Sequence, residues 1–269
     1  MNFKERKIIH GMKIYCLIEN TALFDIFASE HGLSLFIDTG SHKILFDMGQ
    51  SNAFIKNAEK LGLDLTEVDI AIISHGHYDH GGGLNAFLEV NSKARVYISS
   101  HAFSPYFNRE DKYIGLDATL KDSPRLVFCD GVTSIDTGLT LFSFNNKKMS
   151  FSSGTLGFKA LKDGQLVNDD FCHEQYLEIK ENGKRFLFSG CSHRGILNIA
   201  SQLKPDYLIG GFHFSKLSLG GELCEYAKAL DGLGTVFYTC HCTGVPQYEF
   251  MKGQMRELHY ISSGASIEI

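Results

Sequence analysis

The sequence predicts an α/β fold in which two mixed sheets pack face to face with helices on the outer faces. Three observations carry that expectation. Short apolar runs of strand length recur along the chain. They fall into two strand-rich blocks, each followed by helical periodicity. The last third then alternates strand and helix in the manner of parallel-sheet units. Residues 1–269 are expected to form a single domain, because no short-period repeat, low-complexity tract or Pro/Ser-rich linker divides them.

The elements follow in order. Lys13 to Ile18, Leu33 to Asp38 and Lys43 to Asp47 read as strands, the last two joined by Thr39-Gly40-Ser41-His42, which suits a hairpin. Ser51 to Leu61 has Ala53, Phe54, Ala58 and Leu61 near helical spacing, opens on a capping-type Ser and stops before Gly62. Val68 to Ser74 is a continuous apolar strand, buried on both faces by its pattern, and it runs into His75-Gly76-His77-Tyr78-Asp79-His80. A Gly81-Gly82-Gly83 turn, a short helix to Glu89 and a strand from Arg95 to Ser99 come next. Residues 101–125 mix prolines, aromatics and charges without a period, as a lid or loop-rich insertion over a site would. Leu126 to Phe128, Leu139 to Phe144, Leu156 to Leu161 and Tyr176 to Lys180, separated by Gly-containing turn pairs, predict the second sheet. Arg185 to Ser189, Asp206 to Gly210 and Thr235 to Thr239 are strands that alternate with helices at Gly195 to Leu203, Glu222 to Leu230 and Gln247 to Arg256. Short terminal strands at His259 to Ser262 and Ser266 to Ile269 complete the chain.

Composition removes several classes. Of the 269 residues 43% are hydrophobic and 21% charged, which is ordinary globular usage and no case for disorder. A net charge of −5 offers no general electrostatic footprint for nucleic acid or an anionic membrane, so neither is expected as a partner. The apolar runs are a strand long, far short of the ~20 residues needed to span a bilayer. The opening segment, through Lys13, is polar and is not followed by an apolar stretch of signal-peptide length. Seven cysteines, an odd number with no C-x-x-C pair, suit neither a disulfide framework nor a zinc ribbon. A reducing cytoplasm is the expected location.

The chemistry concentrates in His75, His77, Asp79 and His80. One histidine in a polar loop is ordinarily just solvated. Three imidazoles and a carboxylate within six residues at the end of a buried strand are the donor set of zinc, or of iron or manganese. The spacing and the preceding strand exclude the helical H-E-x-x-H arrangement. Gly76 is expected to let the backbone turn tightly there.

That H-x-H-x-D-H pattern after an apolar strand resembles the metallo-β-lactamase superfamily. Ile44-Leu-Phe-Asp47-Met-Gly49 looks like its first motif, an Asp that supports the metal loop, and Thr239-Cys-His241-Cys-Thr-Gly244 like its last. Glu30-His-Gly-Leu-Ser-Leu35, Ser189-Gly-Cys-Ser-His193-Arg-Gly-Ile-Leu-Asn198 and Gly210-Gly-Phe-His213 resemble, more narrowly, the branch named for 7,8-dihydropterin-6-methyl-4-(β-D-ribofuranosyl)-aminobenzene-5′-phosphate synthase. The resemblance implies an αββα sandwich and two divalent metal ions, zinc first, with iron and manganese as the other choices.

Carried over by motif, His75 and His77 serve one metal, and Asp79, His80 and His241 serve the other. The third ligand of the first site falls on His193, in the Gly-Cys-Ser-His turn, or on His173, which lacks the customary flanking glycines; His193 is the stronger. Cys191 stands where the pattern has a bridging Asp, as a thiolate ligand, a support for a ligand or a redox liability. His213 either lines the pocket and donates to substrate or caps the following helix. Cys240 and Cys242 are expected to point away from His241 by strand alternation.

Two such ions roughly 3.5–4 Å apart acidify a shared water and polarise the oxygen under attack, which is hydrolytic chemistry. Asp79, His213 and Cys191 are the expected catalytic residues, and the helix opening after Cys191, with Arg194, is expected to hold the anionic group, phosphate first or else carboxylate, of a small substrate; the resemblance makes a ribofuranosylaminobenzene-phosphate/pterin-type reaction one named candidate. The alternatives are a metal-containing ligand sensor without turnover and di-iron oxygen or nitric oxide chemistry. A nuclease of the same superfamily is disfavoured by the charge balance.

Overall fold

The computed structural model describes residues 11–144, 149, 151 and 157–269. The polar opening up to residue 10 and Leu156, the first residue of one expected strand, lie outside them. Two seven-stranded sheets form the body.

The first sheet contains β1 (Lys13–Ile18), β2 (Ser34–Asp38), β3 (Lys43–Phe46), β4 (Ile70–Ile72) and β5 (Arg95–Ser99). After β6 (Tyr106–Phe107), which lies elsewhere, β7 (Leu126–Cys129) completes the run. The second sheet takes β8 (Val132–Asp136) and β9 (Leu139–Phe142). The hairpin of β10 (Lys159–Lys162) and β11 (Gln165–Asn168) joins β6 in a small third sheet, and β12 (Tyr176–Glu181), β13 (Lys184–Ser189), β14 (Tyr207–Gly210), β15 (Val236–Thr239) and β16 (Leu258–Tyr260) return to the second. The terminal strand β17 (Ser266–Glu268) crosses back to pair antiparallel with β1.

Each large sheet is half antiparallel and half parallel. β3, β4, β5 and β7 run parallel in one, and β13, β14, β15 and β16 in the other. The helices α1 (Ala53–Lys60), α2 (Tyr78–Gly81), α3 (Leu84–Val90), α4 (Ile196–Leu203), α5 (Gly221–Asp231) and α6 (Val245–Lys252) connect them.

Three apolar clusters account for the layers. Between the sheets, Ile14, Leu35, Ile44, Phe46 and Ile72 meet Leu141, Leu177, Ile179, Phe188 and Ile209. Phe36, Leu45, Ala71 and Val96, on the outer face of the first sheet, pack against Phe54 and Ala58 of α1 and Leu84 and Phe87 of α3. Across the molecule, Leu187, Leu208 and Phe237 pack against Ile199, Leu223 and Met251 of α4, α5 and α6. A strand apolar on both faces fits only between such layers, which is why Ile70–Ile72 lies mid-sheet. The result is the αββα sandwich of two mixed sheets.

Some boundaries move for identifiable reasons. The last helix starts at Val245, not Gln247, because Pro246 sits in its first turn, where the missing N–H has no partner to lose. The metal-type cluster is not a plain loop: Tyr78–Gly81 winds one helical turn, so the expected glycine turn begins a residue later.

Candidate metal centre

Every expected site residue except the alternative His173 follows the carboxyl end of a parallel strand. Asp47 comes one residue after β3, His75 three after β4, Cys191 and His193 two and four after β13, His213 three after β14, and His241 two after β15. Open α/β sheets place ligands outside these strand ends. Here the two sheets bring both sets to one edge of the sandwich.

Two adjoining ligand groups form there, and a third set, Asp169 and His173 with the shared His77, lies beside the first. His75, His77 and His193 offer nitrogens that all lie within 4.8 Å of one another, with the Nε2 atoms of His75 and His193 3.2 Å apart. Asp79, His80, Cys191 and His241 form the second group on the same criterion. His80 Nε2 stands 3.3 Å from His241 Nε2 and 3.2 Å from Cys191 Sγ, and Asp79 Oδ2 stands 3.3 Å from His241 Nε2. The groups adjoin, since the His75 and His80 rings are 4.1 Å apart at their centroids.

Hydrogen bonds fix which nitrogen each ring offers. Asp47, fully buried, accepts from Ser74 N at 2.7 Å, from Ser74 Oγ at 2.7 Å and from His80 Nδ1 at 2.6 Å. The Ser74 hydroxyl is thereby left to accept from His75 Nδ1 at 2.9 Å. His241 Nδ1 donates to Asn20 Oδ1 at 2.7 Å. Three rings therefore give up Nδ1–H to the protein and turn Nε2 inward, the usual arrangement behind a metal-ligating histidine. His77 Nε2 is buried with no hydrogen-bond partner among the described residues.

Charge supports the same fit. Burial first, then neighbouring imidazoles, hold His75, His77 and His193 well below the ordinary histidine value. Burial also pushes His241 down to about 4, against the pull of Asp79. These rings are neutral near pH 7, the state that ligates. His80 differs: burial lowers it, but Asp47 and Asp79 outweigh burial and raise it to about 9. Burial opposes ionisation of Asp79, yet His80, His241 and His31 hold its carboxyl well below the usual range. Burial and Cys242 push the Cys191 thiol well up, so without a metal it is neutral. Buried donors, a fixed tautomer on three rings and an orphaned His77 nitrogen together fit divalent metal ions.

His173 is placed differently. Its Nδ1 accepts from Gly76 N at 2.8 Å and its Nε2 pairs with Asp169 Oδ2 at 3.1 Å, so both nitrogens are spent holding the ligand loop. Of the two residues open for the first group, the structure brings in His193. Cys242 corrects an expectation: His241–Thr243 is a 3-10 turn and not a strand, so alternation does not apply, and Cys242 lines the cavity while Cys240 sits in the core.

Arg194 is a second correction. Its guanidinium donates to the carbonyls of Asp170 and Phe144, and the N–H groups of His193 and Arg194 are taken by the buried Glu174 carboxylate. The anion at that helix start is the protein's own. His213 does not cap a helix, since the next one begins at Gly221 behind Gly220. Instead it lines the cavity in a left-handed conformation (φ 58°), its Nδ1 buried without a hydrogen-bond partner among the described residues.

The ligand groups open into a cavity of about 480 Å³, within the usual range for small-molecule sites. Asn108, Arg109, Glu110 and Ile114 from the 101–125 segment form one wall with Phe158, while Lys216 and Ser215 supply another. His31 and Asn20 flank the mouth, and His31 Nε2 reaches Asp79 Oδ2 at 3.3 Å. Sequence reasoning gave no role to His31, Asn20, Lys216 or Phe158. Only His31 carried a signal, inside Glu30-His-Gly-Leu-Ser-Leu35.

Close approach governs two glycines. Gly76 has no left-handed φ; a Cβ there would stand 2.2 Å from the Ala102 carbonyl oxygen. At Gly190 a Cβ would meet Ser74 Oγ at 2.2 Å and His75 Nδ1 at 3.0 Å. Gly190→Ala is expected to cost about 1–3 kcal/mol of stability, the range for overpacking a tight interior, and to lower metal content. Thermal unfolding and elemental analysis check it, and a variant with unchanged metal content and midpoint would contradict the close packing described.

The comparisons agree with this geometry. The family model of the metallo-beta-lactamase superfamily matches residues 30–144. The crystal structure of Tm1679, described as a metal-dependent hydrolase of the beta-lactamase superfamily, is 30% identical, with a TM-score of 0.81 over 96% of this chain and 99% of that one. A Methanocaldococcus jannaschii protein named 7,8-dihydropterin-6-methyl-4-(beta-D-ribofuranosyl)-aminobenzene-5′-phosphate synthase is 29% identical over 93% of each chain. Zn(2+)-bound PqqB from Methylobacterium extorquens, 11% identical with a TM-score of 0.56 over 96% of this chain and 100% of its own, shares the fold.

Proposed function

The chain belongs to the metallo-beta-lactamase superfamily, and we propose that it is a hydrolase-type enzyme that uses two divalent metal ions on a small, phosphorylated substrate. The observation that carries this reading is the pair of adjoining ligand groups at the floor of one cavity. His75, His77 and His193 would hold one ion, and Asp79, His80, His241 and the Cys191 thiolate the other. When bound, such ions supply Lewis acidity, which acidifies water towards neutrality and polarises the oxygen under attack.

The protein's own groups divide the remaining work. Asp79 orients the attacking water through its carboxylate. His213 presents its unpartnered Nδ1 to the substrate. Arg109 and Lys216, which line the cavity and replace Arg194 in this role, bind the anionic group. Phe158 gives an apolar ring against which a flat moiety can lie. The name of the methanogen relative puts pterin and ribofuranosylaminobenzene phosphates first among compounds to test.

The test is turnover of a phosphoester and thioester panel by anaerobically purified, chelator-stripped and zinc-, manganese- or iron-restored protein. Activity that vanishes on stripping and returns with metal is the expected result. Full activity in a strictly metal-free sample overturns the reading, and binding without turnover by every metal form favours a ligand sensor. For a turned-over phosphoester, Arg109→Ala is expected to raise KM about tenfold with a smaller change in kcat, as a charge-assisted contact to the substrate anion is lost. Steady-state kinetics on the same substrate measure the split.

A further inference from the structure

Beneath each ligand group lies a buried glutamate that pairs with no side-chain charge among the described residues. Glu174, fully buried, accepts from His193 N at 2.6 Å through Oε1. Its Oε2 accepts from Arg194 N at 3.0 Å and from the Tyr176 hydroxyl at 2.5 Å. Glu19, also fully buried and one residue past β1, accepts from His241 N at 2.9 Å and the Tyr260 hydroxyl at 3.0 Å through Oε2. Its Oε1 takes Thr21 N at 2.6 Å. Two carboxylates from unrelated parts of the chain thus share one set of partners: each takes a tyrosine hydroxyl and the backbone N–H of a ligand histidine, on separate oxygens in Glu174 and on the same oxygen in Glu19.

Both ligand turns need holding. His241 itself is left-handed (φ 50°), and Ser192, just before His193, is left-handed too (φ 57°). Non-glycine residues stay in that region only where the surroundings fix them. Each glutamate supplies such a fixture, and each serves a different ligand group. We propose that Glu174 with Tyr176 and Glu19 with Tyr260 are independent positioning clamps, the first preforming the His75/His77/His193 group and the second the Asp79/His80/Cys191/His241 group through His241. The proposal rests on the two-metal reading above.

The hydrogen-bond polarity of each clamp makes it testable without changing its volume. Every oxygen of both carboxylates takes a backbone N–H, from His193 and Arg194 in Glu174 and from Thr21 and His241 in Glu19, so a glutamine turns its NH₂ towards an N–H whichever way it lies. Zinc titrations against a chelator buffer, with elemental analysis, read the affinity of each ion. Glu174→Gln is expected to weaken one ion about 10- to 100-fold and Glu19→Gln the other, the usual effect of losing a group that orients a metal ligand. In a His193→Ala background, Glu174→Gln should change the remaining affinity by less than about twofold, whereas Glu19→Gln keeps its full effect.

Equal weakening of both ions by either variant, or unchanged affinities in a folded variant, overturns the clamps while leaving the metal reading intact. A wild-type chain that takes up no zinc overturns that reading, and the clamps with it. If a glutamine variant does not fold, Tyr176→Phe and Tyr260→Phe remove one hydrogen bond from each clamp without adding a donor. The same selectivity is expected of them, at smaller size, and its absence overturns the proposal.

Discussion

On the proposed two-metal reading, His193→Ala is expected to leave one bound ion per chain instead of two and to cut kcat/KM by about a thousandfold. His75, His77 and His193 are all the ligands the first group has among the described residues. Removing one leaves two imidazoles, too few for a closed site of the kind these donors make. The second group shares no residue with the first, so its ion stays. A lost Lewis acid removes several kcal/mol of transition-state stabilisation, and about 4 kcal/mol corresponds to roughly 10³ in rate. His173→Ala is the control. Its nitrogens are committed to Gly76 and Asp169, so it should loosen the loop and lower affinity but keep two ions at saturating metal. Elemental analysis separates the cases: a His193→Ala protein that still holds two ions, or a His173→Ala protein that saturates at one, would show that the ligand has been misassigned.

The parts of the molecule that the sequence revealed are those encoded locally. Ile70–Ile72 is apolar on both faces and so announces a buried parallel strand. Four of the donors are packed into six consecutive residues at its end. What stayed hidden is encoded at long range or by exposure. Val132–Asp136 alternates only between exposed and half-exposed positions, and Gln165–Asn168 is exposed throughout, so neither carries a core pattern. Val132–Asp136 is the edge strand of the second sheet and Gln165–Asn168 that of the small one, which explains both.

Glu19 is 222 residues from the His241 amide it holds, and no spacing rule connects them. Arg194 was misread for a related reason. A helix start with an arginine beside it suits an external anion, but the fold delivers Glu174 to the same N–H groups first. Residues whose role is to hold a ligand's backbone have no preferred neighbours in sequence, and they emerge only once strand order is known.

Asp47→Asn should be the most damaging single change that leaves volume and backbone alone. Asparagine tolerates the left-handed conformation that Asp47 adopts (φ 59°), so the effect is electrostatic. The carboxylate accepts three hydrogen bonds, two from Ser74 and one from His80, and an amide must turn a donor towards one of them. In metal-free protein the Asp47–His80 pair is buried, and breaking such a pair by removing one partner typically costs about 3–5 kcal/mol.

The pH dependence identifies the cause. His80, raised to about 9 in the folded chain, has an ordinary value near 6.5 when unfolded, a difference worth about 3 kcal/mol. Because the folded value is the higher one, that stability is fully present below about pH 6.5 and is lost as the pH rises through 9. Urea unfolding of chelator-stripped wild type and Asp47→Asn should therefore show a gap of about 3 kcal/mol at pH 6 that narrows by pH 9. A gap that does not change with pH would mean that Asp47 acts through Ser74 and the loop backbone, not through the His80 charge. In a metal-loaded protein His80 would serve as a ligand in place of holding a proton, and its Nδ1–H would still need Asp47 to fix the ring. The same substitution should then appear as metal affinity lowered about 10- to 100-fold, so one carboxylate secures the fold without metal and orients the ligand with it.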